Sequence, residues 1–239
     1  MVSPKPNSKQ IQEMFDGLAH KYDLFNRLTS MGMDKRWRHQ ALEGVGPGMR
    51  VLDLGCGTGD LSLEAASKMK GAGEVVGIDF SEKMLQIAQK RYESLGQSLN
   101  GHFQLFQKRA EDLPLSEKPF DWVVSGFVLR NIYENIDSIL RGVSKSLRNG
   151  GRVSFLDFTE PPGKLRLLFW KFYMSTLVVL YGRILFGKKF PETYMAESAQ
   201  RFLKAPEFVA KLQECGFKNV TVKKFMMGII VLYQAEKAN

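Results

Sequence analysis

Apolar residues near the start of the chain recur at a helical interval. Ile11, Met14, Phe15, Leu18, Ala19 and Tyr22 share one stripe. This predicts an amphipathic helical region over 8–30, broken near His20, with Asn7 or Ser8 as cap and a loose tail before it. Gly44, Gly46, Pro47 and Gly48 interrupt the pattern, and from residue 50 the period changes. Short β-branched and leucine-rich runs at 50–54, 74–79, 103–108, 120–127 and 152–158 read as strands, with helix-like sequence at 59–69, 81–95 and 135–147. Asn149, Gly150 and Gly151 predict a turn into the fifth strand. Alternation at this spacing implies parallel βαβ units in an open sheet. The last two runs, 219–225 and 228–237, are joined by two or three residues, enough for an antiparallel pair but not for a parallel crossover.

The expected architecture is one α/β domain over 1–239 with a mostly parallel seven-stranded sheet and an antiparallel C-terminal edge hairpin. A helical lid at 8–45 and an apolar helical insertion at 160–200 complete it. The insertion's core, 165–186, is apolar on nearly every face. Arg166, Lys171 and Arg183 divide it, and its longest uncharged stretch, 172–182, falls short of the about 20 residues a membrane span needs. A buried or interfacial helix pair is expected.

Composition narrows the partners. Lys and Arg total 34 against 25 Asp and Glu, a net charge of +9, which favours a polyanion such as RNA or an anionic membrane face. The charges are spread, with no run of five of one sign, as on an ordinary solvated basic surface. Cys56 and Cys215 lie far apart without metal-ligand spacing, so neither a disulfide framework nor a metal site is expected. The opening MVSPKPNSKQ has no apolar core for a secretory signal, and a cytoplasmic location is expected.

The first strand-to-helix junction, VLDLGCGTGD, carries the candidate chemistry. Gly55, Gly57 and Gly59 allow a sharp turn and close approach of a ligand to the backbone. The repeat ends G-x-G-x-G-D, whereas pyrophosphate binding needs G-x-G-x-x-G. Thr58 and Asp60 at the mouth suit a cationic sulfonium or an amino group. Asp79, about 20 residues on, can accept hydrogen bonds from both ribose hydroxyls, or cap the following helix with Ser81. Asp53, inside the first strand, needs a partner for its carboxylate, and ordering the glycine loop through its N–H groups would supply one. Phe80 adjoins Asp79, and Arg109 and Ala110 follow strand three, where adenine is contacted in such folds.

The segments 15–38 (FDGLAHKYDLFNRLTSMGMDKRWR), 51–61, 77–85, 110–115, 127–132 and 193–202 (TYMAESAQRF), in this order, resemble the UbiE/MenG family, C-methyltransferases of menaquinone and ubiquinone biosynthesis. The resemblance runs from about residue 10 to the end. Its glycine loop is common to methyltransferases that use S-adenosylmethionine (SAM), while the AHKYD–N element, the LRN triplet and the Y-x-x-E-S element are specific. It implies a Rossmann-like SAM methyltransferase fold, SAM as cofactor and a polyprenylated quinol as substrate. The family's nucleoside contacts carry over to Thr58, Asp79 and Ala110, and its LRN motif to Arg130 and Asn131, facing the methyl donor. Arg109 stands where the family usually has Asp or Asn. Gly126 replaces a serine that touches the cofactor, and neighbouring Ser125 is a candidate substitute.

Methylation of a ring carbon needs a phenolate or its equivalent. Arg130 is the candidate fixed charge, and His20, Tyr22 and Asp23 are candidate bases. Arg130 could instead be a structural ion-pair partner, Asn131 a helix cap and Tyr22 packing. Tyr194, Glu197 and Ser198 could line the quinol side or fasten the insertion. Phe169, Trp170, Phe172, Tyr173, Leu177 and Leu180 could line a prenyl channel, dip into the membrane interface with Lys171, Lys188 and Lys189 on the polar side, or pack against the sheet or a second subunit in a homodimer. Other acceptors (a small molecule, a lipid or RNA) and SAM binding without turnover are the alternatives. No clustered basic and aromatic patch supports a nucleic acid.

Overall fold

Alternation along the strands sorts the core into two layers. Wholly buried Val51 faces one layer with Trp37, Leu61 and Trp122. Its neighbours Leu52 and Leu54 face the other, with Ile139, Val143 and Phe208. This is the period of two expected of strands buried on both faces. The computed structural model describes residues 8–95, 102–113, 118–192, 194, 197, 198 and 202–238, so the predicted tail and a cap at Asn7 lie outside the described residues.

Strands β1 (Arg50–Leu54), β2 (Glu74–Asp79), β3 (His102–Gln107), β4 (Phe120–Gly126) and β5 (Leu147–Phe158) are parallel. Strands β6 (Phe217–Phe225) and β7 (Ile230–Lys237) form an antiparallel hairpin, and β7 pairs with β5. The sheet order is β3-β2-β1-β4-β5-β7-β6. The order reverses beside β1, so the crevice beyond the carboxyl ends of β1 and β4 is where such a sheet binds ligands.

Helix α1 (Ser8–Leu18), a 3₁₀ turn (Ala19–Lys21), α2 (Tyr22–Thr29) and α3 (Asp34–Ala41) precede the sheet. Helices α4 (Asp60–Met69), α5 (Glu82–Ser94) and α6 (Ile136–Ser146) connect its strands. Two expectations are corrected. Strand β5 already begins at Leu147, and its register with β4 skips from Phe120↔Leu147 to Trp122↔Arg152. The predicted turn at Gly150, where φ is +69°, is therefore a bulge within the strand. The predicted helix pair is one helix, Lys164–Phe186, of 23 residues. Its parts are α7 (Lys164–Tyr173), a π-helical turn (Met174–Val178) and α8 (Val179–Phe186). Nothing breaks it because no proline or glycine occurs before Gly182. Among the described residues it is long and apolar enough to cross a membrane, but one face packs on the protein through Trp170, Tyr173, Met174 and Val178. A further helix, α9 (Ala205–Glu214), was not anticipated; it buries Phe208 and Leu212 behind the hairpin.

Candidate active site

The glycine loop leaves β1 in a left-handed course, with φ of +71° at Gly55, +54° at Gly57 and +87° at Gly59. A Cβ on Gly55 would lie 2.5 Å from Val128, whereas one on Gly57 would enter open space, where a ligand can meet bare backbone. The crevice above it has a volume of about 1140 Å³ to its open mouth. Its lining includes Asp53, Thr58, Asp79, Phe80, Arg109, Ala110, Gly126 and Asn131, with the three loop residues Gly55, Cys56 and Gly57 as its floor. Ile11, Phe15 and Tyr22 of the N-terminal helices complete it, and Arg38 of α3 joins them, so the expected lid region 8–45 contributes to the lining.

Asp79, not Asp53, orders the loop. Its Oδ2 accepts the Gly57 N–H at 2.9 Å and its Oδ1 the Ser81 N–H at 2.8 Å, leaving a lone pair on each oxygen for a diol. Ser81 itself caps α5 by accepting the Met84 N–H. Burial pushes the Asp79 carboxyl up to about 6 despite these N–H groups. Asp53 is held by the Ser62 hydroxyl at 2.6 Å, and its other oxygen, Oδ1, is buried without a partner beside the crevice. Burial pushes it up to about 7. Such an orphaned acceptor calls for a bound donor, and an ammonium group satisfies it.

The mouth is not acidic as expected. Asp60 lies against Arg91 (2.7 Å) and Arg38 (3.3 Å). Burial alone would raise its pKa, but these guanidinium groups bring it below the ordinary value. Thr58 is buried and donates its hydroxyl to Asp23, which also pairs with Arg91 at 3.0 Å. Asp23 is thus a strut between lid and loop rather than an available base. His20 is exposed and lines neither this crevice nor the cavity below, because the 3₁₀ turn that breaks the lid buries Ala19 instead. Ser125 is wholly buried, donates to the Leu54 carbonyl at 2.7 Å and is not part of the crevice. Gly126 is, and a Cβ there would approach Leu61 to 3.0 Å.

A second, much tighter cavity adjoins the crevice at Tyr22 and Phe127, which line both. Arg130, Phe158 and Tyr173 belong to it. Arg130 therefore does not face the nucleoside crevice. Asp157 on neighbouring β5 draws it across, through bonds of 2.8 Å to Asp157 Oδ1 and 2.8 Å to the Phe127 carbonyl. Its guanidinium lies 4.9 Å from the Phe158 ring centre, and its Nε is buried without a partner. Burial opposes its charge, but the Asp157 carboxylate more than compensates. The Tyr22 phenol is raised by burial, with Arg130 and Asn26 pulling the other way, which disfavours ionisation of this candidate base. Tyr194 donates to Asn131 Oδ1 at 2.9 Å, tying the insertion to the turn after β4. Neither Glu197 nor buried Ser198 lines either cavity.

Sequence reasoning passed over Arg38 and Arg91. Arg38 lines the crevice, is buried and bridges Asp34 and Asp60. Its four-residue spacing from Asp34 was the available signal.

This sheet, glycine loop and paired aspartates define the architecture of SAM-dependent methyltransferases. The chain superposes on a Thermotoga maritima SAM-dependent methyltransferase with a TM-score of 0.62 at 19% identity, covering 95% of this chain and 99% of that one. It superposes on the [4+2]-cyclase SpnF with 0.70 at 16%, covering 98% and 97%. These likenesses show the fold alone. The sequence goes further. It is 32% identical over 231 residues to the ubiquinone/menaquinone biosynthesis C-methyltransferase UbiE of Geotalea daltonii, covering 96% of this chain and 97% of the relative. It is 33% identical over 229 residues to the demethylmenaquinone methyltransferase of Lactobacillus johnsonii, covering 95% and 92%. Residues 4–237 match the ubiE/COQ5 methyltransferase family, and the chain belongs to it. It is a methyltransferase whose methyl donor is SAM.

Proposed function

We propose that the chain methylates a ring carbon of a polyprenylated quinol, demethylmenaquinol or its benzoquinol counterpart, held where the two cavities meet. The observation that carries this reading is that the two cavities adjoin, Tyr22 and Phe127 lining both. On one side lies a crevice whose polar groups fit a nucleoside with an ammonium tail, and on the other an aromatic cavity holding one buried cation.

When bound, SAM supplies an electrophilic methyl group on a sulfonium centre. Asp79 would hold the ribose hydroxyls, and the free oxygen of Asp53 would take the ammonium. Phe80, Ala110 and Arg109 would border the base, with Ile11 and Phe15 on the lining beside it. On the acceptor side, Arg130 presents a charge that Asp157 fixes in place and that cannot be lost at working pH. A quinol oxygen beside it would release its proton to water more readily, enriching the ring carbon, which takes the methyl as the sulfur–methyl bond breaks. The hydrogen on that carbon then leaves as a proton to water and the aromatic ring is restored. The Tyr22 hydroxyl donates to the same oxygen and sets the ring's tilt. Asp34, the carboxylate at this cavity, is bound to Arg27, Arg38 and Ser30. The chain therefore acts by charge and position, holding two reactants in line, which can supply several kcal/mol.

The direct test is transfer of label from SAM to quinols extracted from a strain blocked at this step, offered reduced and oxidised. Label should enter the reduced ring only. An unlabelled reduced extract would overturn the assignment of the acceptor.

A further inference from the structure

One face of the Lys164–Phe186 helix packs on the protein, yet its opposite face is also apolar. Leu165, Leu168, Phe169, Phe172, Leu180 and Ile184 are exposed, from 43% at Phe169 to 83% at Leu165. By helical spacing they form one stripe running the length of α7 and α8. The segment 164–186 holds no Asp or Glu, and exposed Lys164, Arg166 and Lys171 lie on the flanks of the stripe. On α7 the stripe is flanked by cations alone, while Arg183 on α8 is paired with Glu192 at 2.6 Å. Such an apolar stripe with a cationic flank is complementary to a lipid surface bearing anionic headgroups. The helix's inner face contributes Tyr173 to the second cavity.

The geometry points to this outer face lying flat in the headgroup boundary of an anionic bilayer, with the acceptor's prenyl tail passing from lipid beneath the helix into the second cavity. The occupant of the stripe is the bilayer itself. A span is excluded by the inner face, whose Trp170, Tyr173 and Met174 belong to the protein core. The route for the tail rests on the quinol reading, but the docking does not, and the experiment isolates the docking.

Purified full-length protein is sedimented with phosphatidylglycerol–phosphatidylcholine vesicles and with pure phosphatidylcholine vesicles, without SAM or quinol, over a salt series. Binding should be roughly tenfold or more tighter to the anionic vesicles and should weaken as salt rises, since each surface cation contributes appreciably to such attraction. The double variant Phe172→Ser, Leu180→Ser should lose roughly another tenfold or more from the apolar term. As a readout independent of that variant's folding, Ile184→Cys carries an environment-sensitive fluorophore, the native Cys56 and Cys215 being buried. Its emission should shift to the blue with anionic vesicles. No shift, or equal binding by the double variant, overturns the proposal. So does sedimentation velocity that finds a wild-type dimer abolished by those substitutions, because a second copy would then cover the stripe. None of these outcomes bears on methyl transfer, and failure of methyl transfer to quinols would leave the vesicle result intact.

Discussion

Replacing Asp53 by Asn is expected to stabilise the ligand-free protein while weakening its grip on SAM. The carboxyl is 1% exposed. Burial, the largest cause, with the charge of Asp79 adding to it, pushes it from 3.8 to about 7 against the hydrogen bonds of Ser62. Linkage fixes the sign. Below the unfolded value both states hold the proton and the site costs nothing. Between 3.8 and about 7 the unfolded chain releases it first, so stability falls as pH rises, and above 7 the penalty is complete. That displacement corresponds to ~4 kcal/mol against the ionised form, and relaxation with water penetration leaves about 2 kcal/mol as a working figure. Asn keeps the shape and the bond from Ser62, which spans 2.6 Å, without the charge. For a chain of this size the gain is a rise in Tm of about 4–8 °C at pH 8, narrowing as the pH is lowered towards 5. Thermal melts across that range measure it. Calorimetry at pH 8 should show SAM affinity reduced by roughly tenfold to a hundredfold, the worth of one charge-assisted hydrogen bond. A variant that melts lower at every pH would refute the burial argument, and unchanged affinity would refute the ammonium contact.

The other expectations concern single side chains. Asp79→Ala should weaken SAM binding by at least roughly tenfold through loss of the diol acceptors, and wild-type affinity should decline as pH falls through about 6, where that carboxyl protonates; calorimetry that found neither would remove the ribose role. Arg130→Ala leaves Asp157, which is 0% exposed, uncompensated, and should destabilise the fold by about 3–5 kcal/mol in urea unfolding. An Arg130→Met, Asp157→Leu double variant should recover most of that stability but not turnover, and recovery of wild-type kcat would show that the charge is dispensable. Tyr22→Phe should lower kcat several-fold at unchanged SAM affinity, while His20→Ala should leave the rate unaltered; the reverse ranking in steady-state assays would return the histidine to the site.

The parts of the fold that could be read from sequence depend on local period. Val51 to Leu54 alternate because a strand does, and the glycine loop declares itself because only glycine takes those left-handed turns without strain. Asp79 was legible because its distance from the loop is set by one βα unit. What escaped depends on contacts between distant elements. The orientation of Arg130 is decided by Asp157, on the next strand of the sheet. Ser125 sits beside Gly126 in sequence, but the pleat sends its hydroxyl to the Leu54 carbonyl. Asp60 looked like an acidic mouth because Arg38 and Arg91, which neutralise it, come from α3 and α5. His20 fell in a motif that resembles the family's, yet the break that makes the motif visible also turns its ring outwards.

The lid is fastened at two ends by different chemistry. On the nucleoside side Gln12 donates to the Phe80 carbonyl, Ser81 to Asp16, and Thr58 and Arg91 to Asp23. On the apolar side Lys21 reaches the Leu185 carbonyl at 3.0 Å and Tyr173 the Thr29 carbonyl at 2.6 Å. The nucleoside crevice and the second cavity thus lie under separate clasps. Loosening one side does not require unfastening the other, so on the proposed reading exchange of nucleoside and exchange of quinol are mechanically separable events.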